Sequence, residues 1–545
     1  MSKTLVLALT ASLVLAGCGK DAAEQQADVA GSQQPWAEFA ATVIDDYYAR
    51  NPETAVDAGL HQYDGQMSDL SMAAVDEYAA WLDAVLAEAA TYADLEGIEA
   101  FERDYLSTAL QGELFWIRES GFLTSNPLAY AGAIGISVYV DREYAPLDQR
   151  LLAYTQYMEQ VPAMLEQMKK NLKPPLPAPY VEMGHRVFSG LVEYLSTTVP
   201  GIFLPVADEQ LQRRFKAAND AAVEAIQQSV EWLDGLKASA TDEFALGEEA
   251  FLKMLSATQG VNISLEELTA AGQRNLDANL DMLFEACAEF APGESTEACV
   301  AKVSGNKPEG GAVAGARAQL PMLREFVVDN NIASIPGTED ALVDEAPPHR
   351  RFNFAYINIP GPFETGLPST YYIAPPDPEW SEEDQLAYVP GEADLLAVSV
   401  HEVWPGHFLQ FLDSNRTENN VGQHFGTYTF SEGWAHYTEQ MMVDAGLGNG
   451  DPEVRIGQLL NALLRNVRYM SAIGLHTGGM TVEESQQMFE EKAFQDFGNA
   501  SQQAYRGTND PGYLNYTLCK LMINKLREHR TTGRGGREAR GRFHD

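Results

Sequence analysis

Five of the chain's ten histidines fall between residues 401 and 476, and two motifs organise most of them. The first is His401-Glu402-Val403-Trp404-Pro405-Gly406-His407. The second is Glu432-Gly433-Trp434-Ala435-His436-Tyr437-Thr438-Glu439. These residue types suit a zinc hydrolase, which needs three protein ligands, an open fourth position for water, and a carboxylate to take that water's proton. Ordinarily two histidines at i and i+4 of one helix aim their imidazoles the same way. Here the second stands at i+6, about 120° away on a regular helix. Pro405 and Gly406 occupy the interval, and both residue types kink or interrupt helices. A two-residue distortion there returns His407 to the side of His401, so the pair reads as a bulged variant of the zinc motif.

Glu432 is the natural third ligand, on a second helix. His436 and Glu439 share its face at i+4 and i+7, where they can orient a ligand imidazole. Glu402 follows a ligand directly and is placed to act as the general base.

The elements that must hold these residues change in texture along the chain. From Trp36 to about residue 330 the spacing is helical, as in Val75, Tyr78, Leu82, Val85 and Leu86, or Val223, Ile226, Val230 and Leu233. Breaks fall at Pro174-Pro175-Leu176-Pro177 and in the Gly-rich segment from Gly305 to Gly315. After Pro347-Pro348 come two strand candidates, Arg351 to Ile359 and Thr370 to Ala374, and then a helix through Leu395 to Leu412. The strand near Ser369 to Ile373, with Tyr371, is a candidate to align an extended peptide by main-chain hydrogen bonds. The expected divisions are a helical scaffold over 35–346, a catalytic region over 347–528, and a solvated basic tail over 529–545.

At the two motifs the chain resembles the bacterial domain-of-unknown-function 885 family. Asn51-Pro52-Glu53, Gly59-Leu60-His61, Arg465-Asn466-Val467-Arg468, Gly474-Leu475-His476-Thr477 and Asp510 to Tyr516 agree with it. Asp510 is expected to cap a helix with Pro511 at its first position. The resemblance implies a mainly α fold related to the thermolysin-type zinc peptidases, with a small β element and a substrate channel. It implies zinc on His401, His407 and Glu432, Glu402 as base, and Arg468, His476 and Tyr516 around the pocket. Tyr516 or His476 would steady an oxyanion. Three departures bear on the pocket's back wall: Ala472 stands where an Asp would pair with Arg468, Cys519 where a Gly is expected, and the family usually extends past Asp545.

The start of the chain reads as a lipoprotein signal. Lys3 precedes an apolar run from Leu5 to Leu15, and Leu15-Ala16-Gly17-Cys18 resembles a lipobox. Residues 1–17 would be removed, Cys18 acylated, and residues 18–34 left as a flexible tether. Gly19 favours sorting to the outer membrane, with the body facing the periplasm. In that oxidising compartment Cys287 and Cys299 are expected to pair. A formal net charge of −41 argues against nucleic acid as a partner. A hydrophobic content of 45% is ample for a core, and no later segment is apolar for long enough to span a bilayer.

The expectation is therefore a lipid-anchored zinc metallopeptidase acting on peptides. Two alternatives stay open, a decayed binding or envelope-assembly protein and an amidase acting on cell-wall fragments. Turnover and substrate profiling separate them.

Overall fold

Most of the chain winds into helices, several of them started by side-chain caps. The computed structural model describes residues 34–134, 137–347, 350–351, 354–417, 420–531 and 536–544. The signal segment, Cys18, nearly all of the tether, and Phe352 of the first strand candidate lie outside them. α1 (Trp36–Arg50) turns Trp36, Phe39, Val43 and Ile44 inward. α2 (Glu209–Leu236) begins where Asp208 accepts from the N–H groups of Gln210 and Leu211, and it buries Phe215, Ile226 and Leu233. α3 (Leu265–Phe290) opens on a capping box between Ser264 and Glu267. In its last turn Cys287 is bonded to Cys299, with a Cα–Cα distance of 5.7 Å.

The β element has three strands, β1 (Leu342–Glu345), β2 (Ala355–Asn358) and β3 (Thr370–Ile373), in the order β1-β3-β2. β3 runs parallel to β1 and antiparallel to β2. The sequence gives no alternation signal for β1, whose only buried side chain is Val343. Because β3 is central, both its edges are already paired, so it cannot receive an extended peptide. Tyr371 points from β3 into the core with Ile373. It lies close to Ser399 and Glu402 but does not line the cavity described below.

The expected helix over Leu395 to Leu412 is two helices, α4 (Glu392–Glu402) and α5 (His407–Ser414). Next come α6 (Tyr428–Asp444), capped by Thr427, and α7 (Pro452–Ile473), capped by Asp451 with Pro452 at its start. Last are α8 (Phe497–Asn509), α9 (Asn515–Thr531) and α10 (Gly536–His544). Asp510 does not cap as expected: Pro511 to Leu514 form a 3₁₀ turn before α9, and the Asp510 carboxylate accepts from Arg506.

α7 is the central strut. Its Ile456, Leu459, Leu463 and Val467 join Leu268, Leu276 and Leu283 of α3 in one core. Truncating a leucine there to alanine would cost about 2–5 kcal/mol. Since that core unites residues from both sides of 346/347, the division is a change of sequence texture and not a seam in the packing. The tail also differs from expectation. α10 folds back so that His544 bonds to Tyr437 Oη of α6 at 2.8 Å, because its ring finds aromatic partners in Trp434 and Tyr437. Among the described residues no helix is long and apolar enough to cross a membrane.

Candidate metal centre

α4 stops at Glu402 because the chain turns back across its own last turn. The Gly406 N–H donates to Val400 O at 3.0 Å. A Cβ at 406 would stand only 1.8 Å from His401 O, so glycine is required at this crossing. The chain then restarts as α5 with His407 as its first residue. A clean break, in place of a bulge, thus sets the two imidazoles side by side, with centroids 4.8 Å apart and planes at 88°.

Glu432, in the first turns of α6, meets both. Its Oε2 lies 3.3 Å from His401 Nε2 and 3.5 Å from His407 Nε2. One ligand atom from each of the three residues falls within 4.8 Å of the others. Two ligands at zinc–ligand distances of about 2.0–2.1 Å in a tetrahedral shell stand about 3.4 Å apart. The two spacings from Glu432 fit that edge. The far side of each imidazole is also engaged: His401 Nδ1 bonds Glu439 Oε1 at 2.7 Å, and His407 Nδ1 bonds Ser431 Oγ at 3.2 Å. Both Nε2 atoms are therefore left to face Glu432, as outer partners of metal-bound histidines do.

Electrostatics lock the arrangement. Burial disfavours charge on Glu432, yet His401 and His407 hold it well below the usual carboxylate range. Burial likewise works against Glu439, but Arg465, His436 and His401 keep it ionised. Burial opposes a proton on His401; Glu432 and Glu439 outweigh it and push the group up to about 9. His436 touches no ligand imidazole. Its Nδ1 lies 3.1 Å from Glu439 Oε2, its Nε2 lies 3.4 Å from Lys520 Nζ, and burial and Lys520 push it down to about 3.

The centre opens into a cavity of about 1980 Å³. Glu402, Arg468 and Tyr516 line it with the three candidate ligands. The Tyr516 ring stacks near His401 at 6.5 Å and contacts Tyr428 at 5.7 Å. His476 does not reach it. Its Nε2 donates to Gly507 O at 2.8 Å and its ring stacks on Phe251, while burial pushes it down to about 4, so it is a buried joint between α7 and α8. Residues to which the sequence reading gave no part in the site include Ser431, Arg465, Arg506 and Lys520. Two were findable by helical spacing: Arg465 shares a face with Arg468, and Lys520 with Tyr516.

The chain belongs to the bacterial domain-of-unknown-function 885 family, whose description is "Bacterial protein of unknown function (DUF885)" and whose pattern matches residues 52–545. Two solved structures share the fold. One is reported as "a putative lipoprotein of unknown function from Shewanella oneidensis", with a TM-score of 0.77 and 23% identity over 94% of this chain and 96% of that one. The other is "the putative lipoprotein from Colwellia psychrerythraea", with a TM-score of 0.77 and 17% identity over 94% of this chain and 95% of that one. No curated protein matches the chain.

Proposed function

We propose that the chain is a zinc-dependent peptidase, related in fold to the thermolysin-type enzymes and tethered to the outer membrane through lipid on Cys18, facing the periplasm. The observation that carries the chemistry is the convergence of two Nε2 atoms on one carboxylate oxygen at tetrahedral-edge distances, each imidazole braced from behind. His401, His407 and Glu432 would hold zinc, which supplies Lewis acidity and lowers the pKa of a water to near neutrality. Glu402, which lines the cavity beside these ligands, would take a proton from the attacking water and pass it to the leaving amine. Tyr516 donates its hydroxyl toward the developing oxyanion. The main chain of β2, an edge strand in this sheet, lines the cavity and can align an extended peptide. The Leu-Ala-Gly-Cys sequence and the lipoprotein descriptions of the two structural relatives support the anchor.

Metal analysis and turnover test the reading together. The purified protein should hold about one zinc per chain, and His401→Ala or Glu432→Ala should lose it. Glu402→Gln should keep the metal while turnover of a mixed peptide library falls roughly 10²- to 10⁴-fold. Full zinc in both ligand variants would remove the assignment of the centre. Equal cleavage by Glu402→Gln would remove the base.

A further inference from the structure

Three guanidinium groups gather at Tyr516, and they are not equally satisfied. Arg465 and Arg468 stand one turn apart on α7, and Arg506 reaches in from α8. Arg465 lies 3.7 Å from Glu439 Oε1, and Arg506 lies 3.0 Å from Asp510 Oδ2 and donates to Tyr428 Oη at 2.8 Å. Arg468 is different. Its Nε donates to the neutral amide oxygen of Gln503 at 2.8 Å, and its guanidinium lies 5.0 Å over the Tyr516 ring. Among the described residues no carboxylate is paired with it. Ala472, one turn further along α7 and fully buried, offers none.

Arg468 is only 8% exposed and lines the cavity. A buried guanidinium stays charged, and leaving it without an anion is expensive unless a ligand supplies one. Its terminal nitrogens form a planar fork that matches a carboxylate. We propose that Arg468 recognises the free C-terminal carboxylate of a peptide cleaved within about three residues of its end. The inference rests on the peptidase reading above. Its geometry comes from Tyr516, whose ring touches both His401 at 6.5 Å and Arg468 at 5.0 Å. One tyrosine therefore separates the metal ligands from the anion site. These distances bound the separation of His401 and Arg468 at about 11.5 Å, and an extended chain advances about 3.3–3.6 Å per residue, so up to about three residues cover that gap. The neighbouring Arg465 and Arg506 reinforce the positive potential there, in a protein whose net charge of −41 would otherwise repel anions.

The test offers the zinc-loaded protein one mixed peptide library in two forms, free acid and C-terminal amide, and reads products by mass spectrometry. Wild type should favour the acids. Arg468→Gln should lower kcat/KM for acids roughly 10- to 100-fold and leave amides nearly unchanged. Arg468→Lys should restore part of the preference. Equal cleavage of acids and amides by wild type overturns the anion site and leaves the peptidase reading standing. A loss in Arg468→Gln that falls equally on both forms marks a structural role and overturns it too. If neither form is cleaved, the peptidase reading fails. The carboxylate site is then decided by calorimetric titration of acetyl-trialanine as acid and as amide: an acid preference abolished in Arg468→Gln upholds it, and equal affinities overturn it.

Discussion

Replacing Gly433 with alanine would set the helix that carries Glu432 against the helix that carries Tyr516. A Cβ at 433 would lie 2.2 Å from Cys519 Cβ and 2.5 Å from its Sγ. Unstrained carbon atoms meet at about 3.5–4.0 Å. Cys519 Cβ is fixed to the backbone of α9, so no rotamer relieves the overlap and α6 must move away from α9 by roughly 1.3 Å. Overpacking of this kind costs about 1–3 kcal/mol, and the better helix propensity of alanine offsets up to about 1. The expected net loss is about 1–2 kcal/mol, with weaker zinc retention because Glu432 moves with the helix. Cys519→Gly removes both clashing atoms. By itself it should destabilise, since it places a glycine in α9 and empties a buried site. In the Gly433→Ala background it should instead recover stability, a coupling of about 1–2 kcal/mol in a double-mutant cycle. Urea unfolding of the four proteins, with zinc content measured on each, reads the cycle. Strictly additive losses, or a Gly433→Ala protein as stable as wild type, would refute the close crossing of α6 and α9.

Other consequences are as accessible. Replacing Cys287 and Cys299 together by serine should lower stability by about 2–3 kcal/mol through the loop they close, and unfolding that matches wild type under oxidising conditions would contradict this. His61 lies 3.1 Å from Asp64 and 3.5 Å from Glu364; burial opposes its proton, but those carboxylates push it up to about 9 from 6.5. A raised folded-state pKa gives stability that is full below the unfolded value and lost as pH rises through about 9. The deficit of His61→Gln should therefore be larger near pH 6 than near pH 10, and a deficit independent of pH would dismiss the ion pairs. Cys18→Ser should release the protein from the membrane fraction; a variant that still sediments with membranes is held by something other than lipid.

The meeting of His401, His407 and Glu432 was legible because it is written in residue types. Histidine, proline and glycine between 401 and 407 announce both the donors and the break that aligns them. What sequence could not show was which polar residues face inward. His476 looked as available as Tyr516, yet α8 presents Gly507 O to its ring and closes it off. Tyr371 sits on a strand, but strand order, which no local pattern encodes, made that strand central. β1 has one buried side chain and so left no alternation to read. Cys519, conspicuous as a departure from the family's pattern, is a packing neighbour of Gly433 and does not line the cavity.

The walls of the cavity come from both halves of the chain, and this bears on how the site can be assembled. Tyr48 of α1 bonds His424 Nδ1 at 2.9 Å across 376 residues of sequence, and Tyr516 arrives only with α9. Contacts of such long range are slow to form, because loop closure must precede any gain from packing. A nascent chain holding both motifs but lacking α9 has the donors without the enclosure. If the proposed centre takes zinc, capture would accordingly be a late event in folding, and an excised fragment spanning 401–439 should bind zinc no better than an unstructured peptide with two histidines.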